Sequence, residues 1–488
     1  MGLTAALNTA RSSLQATGAQ ISVSSRNVAG ANDPNYSRKL APTVTNPDGS
    51  ARMVQVTRAS NSALYFAMLG ATSKASSQDA ILAGIDRLAA TIGDPEKAQS
   101  PAGRLSALAA ALEQYASQPD SGALAESVMM RANELAGSIN DAARSVAEVR
   151  QSADARIADS VGNINNLLAR FETLNRQVVQ GSFAGSDISD ALDQRDAVLA
   201  QISEEIGVSV VTRKNNDMVI YTDSGVTLFE TRPRSVTFQP SSVLSPGAPG
   251  NAVVIDGVQV TGDGATMPIR SGALYGLTQL RDDVAGTYEA QIDEIARGLV
   301  EAFAESDQTG GGAPDAAGLF TWAGGPAVPV SSTRVAGLAD SFKVNPLADP
   351  MAGGSLTLLR DGGVNGADYV YNASAAAGYF ERLESLAGEL TAARGFDATS
   401  RLEAGQSLLD FSASSAGWLE GNRQSVTNDL QYQQILLSRS SDALSNATGV
   451  NLDDEYALQL QLERSYAAAS KLFGVIGELF DTLMANVR

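Results

Sequence analysis

Apolar positions at the N-terminus recur in steps of four and three without a break: Leu3, Leu7, Ala10, Leu14, Thr17, Ile21, Ser24 and Val28. This spacing predicts a helix with a coiled-coil seam. Every second seam position from Ala10 onward is small (Ala10, Thr17, Ser24), so a partner helix can approach closely while Leu and Ile fill the spaces between. The helix is expected to stop between Ala29 and Pro34, where Gly30, Asn32, Asp33 and Pro34 gather helix breakers and turn formers. The C-terminus repeats the alternation at Leu458, Leu462, Ser465, Ala469, Leu472, Ile476, Leu479 and Leu483. A second stripe, Tyr466, Phe473, Phe480 and Val487, lies one residue along at strict sevens, which gives this helix two apolar flanks and room for two neighbours. The pattern fits pairing of the two termini within one subunit as well as pairing between subunits. The second C-terminal stripe tips the reading toward partners.

Between the termini the period changes several times. Residues 39–60 read as extended, with Val44, Met53, Val54 and Val56 and turn signals from Asn46 to Ser50, a hairpin-like excursion. From about 70 to 206 the pattern is helical, interrupted at Asp94-Pro95, Ser100-Pro101, Pro119 to Gly122 and Gly181 to Ser186. Short β-rich runs follow at Val208–Val211, Met218–Thr222, Val226–Phe229, Val236–Phe238 and Val253–Val260, with Asp256-Gly257 as a hairpin turn. Helical spacing resumes from Leu274 to about Ala304, then gives way to the Gly-rich stretch Thr309–Pro314 and to β-like runs at Leu356–Leu359 and Tyr369–Tyr371. Tyr379 to Ala447 reads as helix again and leads to Asn451, a good cap followed by acidic residues that complement the helix dipole.

The expected fold class is mixed α and β, mainly α: terminal coiled-coil helices and a bundle of long helices, with β-rich insertions in mid-chain. Its divisions are 1–70, the N-terminal helix and extended hairpin; 71–206, the bundle; and 207–272, a β-rich subdomain. Next come 273–308, a helix returning to the bundle; 309–375, a Gly/Pro-rich β or loop insertion; 376–448, a second return; and 449–488, the C-terminal coiled-coil helix.

Composition narrows the chemistry. A length of 488 residues suits two to four folding units, and 44% hydrophobic with 18% charged residues fits a folded, soluble chain. The net charge of −19, with no cluster of Lys and Arg, argues against nucleic acid as a partner. With no His and no Cys the chain cannot build a Ser/His/Asp triad, a Cys nucleophile, a thiolate or imidazole zinc site, or a disulfide. The N-terminus lacks the continuous apolar stretch of a cleaved signal peptide, and no apolar run approaches the roughly 20 residues that cross a bilayer, so no membrane insertion is expected.

The remaining motifs are weak. Asp361 to Asn372 loosely follows a calcium loop, but Gly363 offers no side-chain oxygen and Asn372 stands where a bidentate Glu belongs, which favours a turn. Thr309 to Gly312 lacks the Lys-Ser or Lys-Thr of a phosphate loop and reads as linker. Leu192–Asp196 places two carboxylates and Arg195 within one helical turn, a structural ion pair. A glycosidase would need two carboxylates roughly 5 to 10 Å apart across a cleft. No local pattern singles out such a pair among 54 acidic residues. No catalytic, cofactor or metal residues are assigned.

The run Asn27, Val28, Ala29, Gly30, Ala31, Asn32, Asp33, Pro34, Asn35, Tyr36, Ser37, Arg38 resembles the N-terminal signature shared by flagellar rod, hook and hook-associated proteins. It departs from that signature at Gly30, where Asn is typical, at Asp33, where Thr is, and at Asn35, where Gly is. Asn and Gly both accept left-handed backbone and Asp is a good turn residue, so the departures read as tolerable. Three further segments are similar to the hook-associated protein 1 family, which forms the first hook-filament junction: Leu192 to Asp196; Gly272 to Ala296 with Leu280-Arg281-Asp282; and Gly449, Val450, Asn451, Leu452, Asp453, Asp454, Glu455 followed by Phe480 to Leu483. The 311–372 stretch carries no matching signature.

The resemblance implies a non-enzymatic structural subunit, without cofactor, outside the cell at the hook-filament junction. It implies type III export as an unfolded chain and assembly at the distal end of the hook. The implied partners are hook protein, the second junction protein, further copies of the chain in a helical tube, and a cytoplasmic export chaperone on the C-terminal helix. The assembly interface is expected at Leu3, Leu7, Ala10, Leu14, Ile21, Val28, Leu458, Leu462, Leu472, Phe473, Ile476, Leu479, Phe480 and Leu483. Helices with nowhere to bury their stripes should be mobile alone and order on assembly. A hook or distal-rod subunit shares these ends but should show β structure soon after the first helix rather than the helical bundle from 70 to 206. A carboxylate-based wall hydrolase is the more distant alternative.

Overall fold

The computed structural model describes residues 2–47, 50–91 and 99–487; Asp48, Gly49 and the expected break at Asp94-Pro95 lie outside the described residues. The first heptad run forms α1 (Leu3–Gly30), which ends where the turn formers begin. A nested hairpin follows, with β1 (Lys39–Leu40), β2 (Thr43–Thr45), β3 (Ala51–Met53) and β4 (Thr57–Arg58); β1 pairs with β4, and β2 with β3.

Helix α2 (Ser62–Ala89) starts ahead of residue 70 because Asn61 caps it, its side chain accepting from the Leu64 amide at 3.2 Å. Helix α3 (Pro101–Ser117) has Ser100 as cap and Pro101 in its first turn, where the missing N–H costs nothing. Ser121 opens α4 (Gly122–Ala184), about 95 Å long at 1.5 Å per residue, and Gly185 closes it in a left-handed conformation. Helix α5 (Ser189–Glu205) completes this group.

The β runs form two small antiparallel sheets. Strands β5 (Val208–Thr212), β6 (Met218–Thr222), β7 (Thr227–Glu230) and β8 (Arg232–Pro233) pair in sequence order. Strands β9 (Val236–Thr237), β10 (Val254–Ile255) and β11 (Val258–Gln259) form the second sheet with β10 in the centre. Asp256 and Gly257 both take positive φ, 49° and 84°, as a two-residue hairpin turn requires.

Helix α6 (Ala273–Thr278) runs through a π-helical turn, Gln279–Val284, into α7 (Ala285–Ala302). Periodicity alone did not predict this turn. It carries Arg281, fully buried and paired with Asp154 of α4 at 2.5 Å and with Asp282 at 2.7 Å. The insertion beyond is mostly irregular, with β12 (Phe320–Thr321), α8 (Leu338–Ser341), β13 (Lys343–Val344) and α9 (Thr357–Asp361). Two expected β runs are therefore corrected. In the Leu356–Leu359 run, Thr357, Leu358 and Leu359 lie in α9. In the Tyr369–Tyr371 run, Tyr369 closes a 3-10 turn, Ala367–Tyr369, and Val370 makes only a lone bridge to Gly362. A short apolar run suits either state, and buried Leu359 takes the helical one.

The helix expected from 379 to 447 is split into α10 (Glu381–Thr391) and α11 (Leu408–Thr448). The segment between them is held out of helix by backbone and side-chain bonds: Arg394 N–H donates to Gln406 O at 3.0 Å and Asp397 N–H to Glu294 at 2.8 Å. The chain ends in α12 (Leu452–Val487). One apolar core runs from Leu69 of α2 through α3 to α7, both sheets and the insertion to Leu419 of α11. Helix α11 packs along α2, and α1 packs along α12. Among the described residues, none from α1, the hairpin or α12 belongs to that core.

Candidate assembly site

The terminal pair buries a narrow line. On α12 the buried residues are Glu455, Leu462, Ala469 and Ile476, one per heptad, and on α1 they include Ala10, Thr17 and Ser24 with Ala16 and Val23. Small residues on α1 let the helices close, as the spacing predicts. The larger residues of that stripe, Leu3, Leu7, Leu14, Ile21 and Val28, are half-buried beside it, as are Leu458 and Phe480 on α12. Two flanks of α12 stay uncovered: Tyr466 and Phe473 on one side of the buried line, and Leu472 and Leu479 on the other; Leu483, next on the line after Ile476, is exposed as well. Leu472 and Leu479 belong to the expected assembly interface, whose partner the spacing left open. One slender helix covers only one line of α12, so these two face outward at 59% and 49% exposure.

At the foot of the pair lies a buried polar cluster. The Asn27 amide uses all four of its hydrogen-bonding positions. Its Nδ2 donates to Lys39 O at 2.9 Å and to Glu455 at 3.2 Å, while its Oδ1 accepts from Lys39 N–H at 2.8 Å and from the Tyr36 hydroxyl at 3.0 Å. Glu455, in the first turn of α12, also accepts from Ser24 Oγ at 2.8 Å and Arg38 Nε at 2.7 Å. Its carboxylate therefore ties α1, the following turn and α12 together near a favourable helix N-terminus. Burial, reinforced by the carboxylates of Asp190, Asp193 and Glu455 against the opposing Arg26, pushes the Tyr36 phenol up to about 12.

A second cluster joins the hairpin to the body. Asp193 of α5 accepts from Lys39 Nζ, from Arg58 at 2.8 Å and from the Ser37 amide at 3.3 Å. Arg58 also bonds Asp196, whose carbonyl accepts from Tyr65 at 2.5 Å. Burial alone would lower the Arg58 pKa, but Asp196 and Asp193 outweigh it and hold it above its ordinary value. The local ion pair expected at Leu192–Asp196 does not form: Arg195 turns away to Asn175 Oδ1 at 2.9 Å and Asn216 O at 2.6 Å. Both carboxylates pair instead with cations of the N-terminal region.

A family model for the flagellar hook-associated protein FlgK helical domain matches residues 85–320. Flagellar hook-associated protein 1 of Escherichia coli (strain K12) is 24% identical over 390 residues, 68% of this chain and 71% of that protein. Its namesake from Salmonella typhimurium is 23% identical over 213 residues, 43% of this chain and 38% of that protein. The structure of the flagellar hook junction protein FlgK from Burkholderia pseudomallei superposes with a TM-score of 0.54 at 14% identity, covering 77% of this chain and 98% of that one, a likeness of fold. The chain is thus similar to flagellar hook-associated protein 1 over 68% of its length, and its residues 85–320 match the helical domain of that family.

The signature residues divide into those the fold brings together and those it does not. Asn27, Tyr36, Arg38 and Glu455 meet in the polar cluster, and Ser37 reaches Asp193. Asn451 caps α12, accepting from Asp453 N–H at 3.0 Å. A Cβ on Gly449 would lie 2.5 Å from Ser445 O, so this position needs Gly for close approach. Asn32, Pro34, Leu452 and Asp453 are exposed and Val450 is half-buried, away from the cluster. The reason offered for Gly30 and Asn35 is corrected, since neither adopts positive φ. The Tyr36 ring instead lies over Gly30, where a Cβ would sit 2.6 Å from it. Lys39 and Arg58 went unremarked in the sequence; the three-residue spacing of Asp187, Asp190, Asp193 and Asp196 was the available signal.

Proposed function

We propose that this chain is a non-catalytic structural subunit that joins the flagellar hook to the filament and assembles through α1 and α12. The observation that carries this reading is the pair of uncovered apolar flanks on α12, Tyr466 and Phe473 opposite Leu472 and Leu479. Covering a half-exposed Leu or Phe gains on the order of 1 kcal/mol, so several such residues along one helix favour association with further helices. Hook protein on one side, the second junction protein on the other and copies of the chain around a tube are the proposed neighbours. Export unfolded, with a chaperone on α12, is what the resemblance to flagellar hook-associated protein 1 implies. The described helices include none long and apolar enough to cross a membrane.

A hook or distal-rod identity is disfavoured by the long helices α2 to α5, which follow so closely on the hairpin. A wall hydrolase reading would draw on an open groove of about 360 Å³ between α2, α5 and α11, lined by Asp79, Glu204, Arg156 and Leu430. Partial burial and neighbouring Glu205 raise the Glu204 pKa. Incubation with purified peptidoglycan is expected to give no turnover. Deletion of the gene should leave hooks of normal length without filaments and flagellin free in the medium, seen by electron microscopy and immunoblot. Absence of hooks would make the chain a rod or hook component, and intact filaments would refute the proposal.

A further inference from the structure

The outer face of the β2–β3 hairpin is both apolar and cationic. Val44 and Arg52 are cross-strand partners and so share one face, while Ala51 and Met53 on the other are half-buried where β3 packs on α1. Val54 returns to the Arg52 face, its amide continuing the ladder to Pro42 O at 2.9 Å. Val44 and Val54 are 48% and 38% exposed, and exposed Arg52 has no ion-pair or hydrogen-bond partner among the described residues. The groove between α2, α5 and α11 is the complement of this face. Leu430 and Leu437 give it an apolar wall, and Asp79, Glu204 and Glu205 outnumber its one cation, Arg156. Glu205 accepts from Ser160 Oγ at 2.6 Å and from Asn163 Nδ2 at 3.1 Å, whereas Asp79 and Glu204 have no such partner among the described residues.

We infer that the β2–β3 hairpin of one copy docks in the groove between α2, α5 and α11 of a second copy, Arg52 reaching Asp79 and Glu204 while Val44 and Val54 lie on Leu430 and Leu437. The inference rests on the junction role and names one contact by which copies join. An Arg stem can lie along Leu while its head meets carboxylates. Charge selects the occupant: residues 1–60 hold six Lys and Arg against two Asp, whereas the rest of the chain holds 52 of the 54 acidic residues. Helix α12, with six carboxylates to two cations, is repelled by the same groove. Each copy has one hairpin and one groove, so the contact runs head to tail and repeats from copy to copy. The hairpin face depends only on strand register and sets no condition on the terminal helices of a free chain.

The chain has no cysteine, so Val44→Cys with Gln434→Cys, the latter lining the groove, places two defined thiols on each copy. Flagella purified from the gene deletion complemented with this double variant are oxidised with copper phenanthroline and immunoblotted without reductant. Reducible dimers and higher multimers are expected, with each single variant staying monomeric. Arg52→Glu in the same background should lower the dimer yield at least about tenfold, Arg52→Lys should keep it, and Asp79→Lys with Glu204→Lys should restore it to Arg52→Glu. Filament number by electron microscopy reads the same charge series without cysteines, and an unchanged number with Arg52→Glu overturns the inference. A double variant present in flagella at the wild-type amount but only as monomer also overturns it. So do dimers of Val44→Cys alone, where hairpin meets hairpin, and cross-links to another flagellar protein only. A wild-type chain absent from purified flagella would instead sink the junction role, and the contact with it.

Discussion

Phe171 in α4 and Phe473 in α12 are the same side chain in opposite settings. Phe171 is fully buried and meets Phe229 edge-on at 5.0 Å between ring centroids, inside a core that links helices, sheets and insertion. Phe473 is 40% exposed on a helix that a single neighbour covers along one line. The body gathers its apolar residues into one large core and leaves scattered ones such as Phe183 exposed, whereas the terminal pair satisfies its polar residues, at Asn27 and Glu455, and leaves apolar flanks open along α12. A folded unit is thus joined to an unfinished one, and the difference teaches where assembly has to act.

The sharpest way to break this comparison is to remove α12. Truncation after Asn451 should leave a monomeric body with its melting transition intact and abolish incorporation into flagella, measured by calorimetry and by complementation of the deletion. Next in size, Phe171→Ala should cost about 3–5 kcal/mol in denaturant unfolding, while Leu479→Ala changes monomer stability by less than about 0.5 kcal/mol yet impairs assembly. Glu455→Gln removes one partner of a charge-assisted pair and should weaken closure of the terminal pair by about 2 kcal/mol, read as faster hydrogen exchange in α1 and α12 with α4 unchanged. Gly30→Ala displaces the Tyr36 ring and should cost about 1–2 kcal/mol by the same measurement.

The smallest effect is in pH. The docked Tyr36 phenol has its pKa raised to about 12 from an ordinary value of 10.0. Below about pH 10 it is protonated whether docked or free, and its contribution is complete. As pH rises toward 12 the free form ionises first, so closure weakens across that window. Tyr36→Phe should remove this part of the alkaline slope, followed by hydrogen exchange of α1 against pH.

The terminal helices, the bundle and the hairpin turn at Asp256-Gly257 were legible because heptads and turn chemistry are local. The π-helical turn at Gln279–Val284 was not, and the buried Arg281 that it carries pairs with Asp154 across the fold, which no local pattern encodes. The split between α10 and α11 was hidden for the same reason, because Glu294 holds the Asp397 amide from a distant helix. At the candidate site, the signature marked Asn27, Tyr36 and Arg38, but nothing local paired Lys39 and Arg58 with Asp193. The spacing of apolar residues on α12 announced two flanks, and only the neighbour's position could say which line α1 would take.

The bond between Asn27 and Glu455 spans 428 positions of the chain. At a ribosomal rate of about 5–20 residues per second, the N-terminal helix waits roughly 20–90 s before the residue that completes its polar cluster is made. Helix α1 therefore stays without its polar partner until nearly all of the chain between Asn27 and Glu455 has been made.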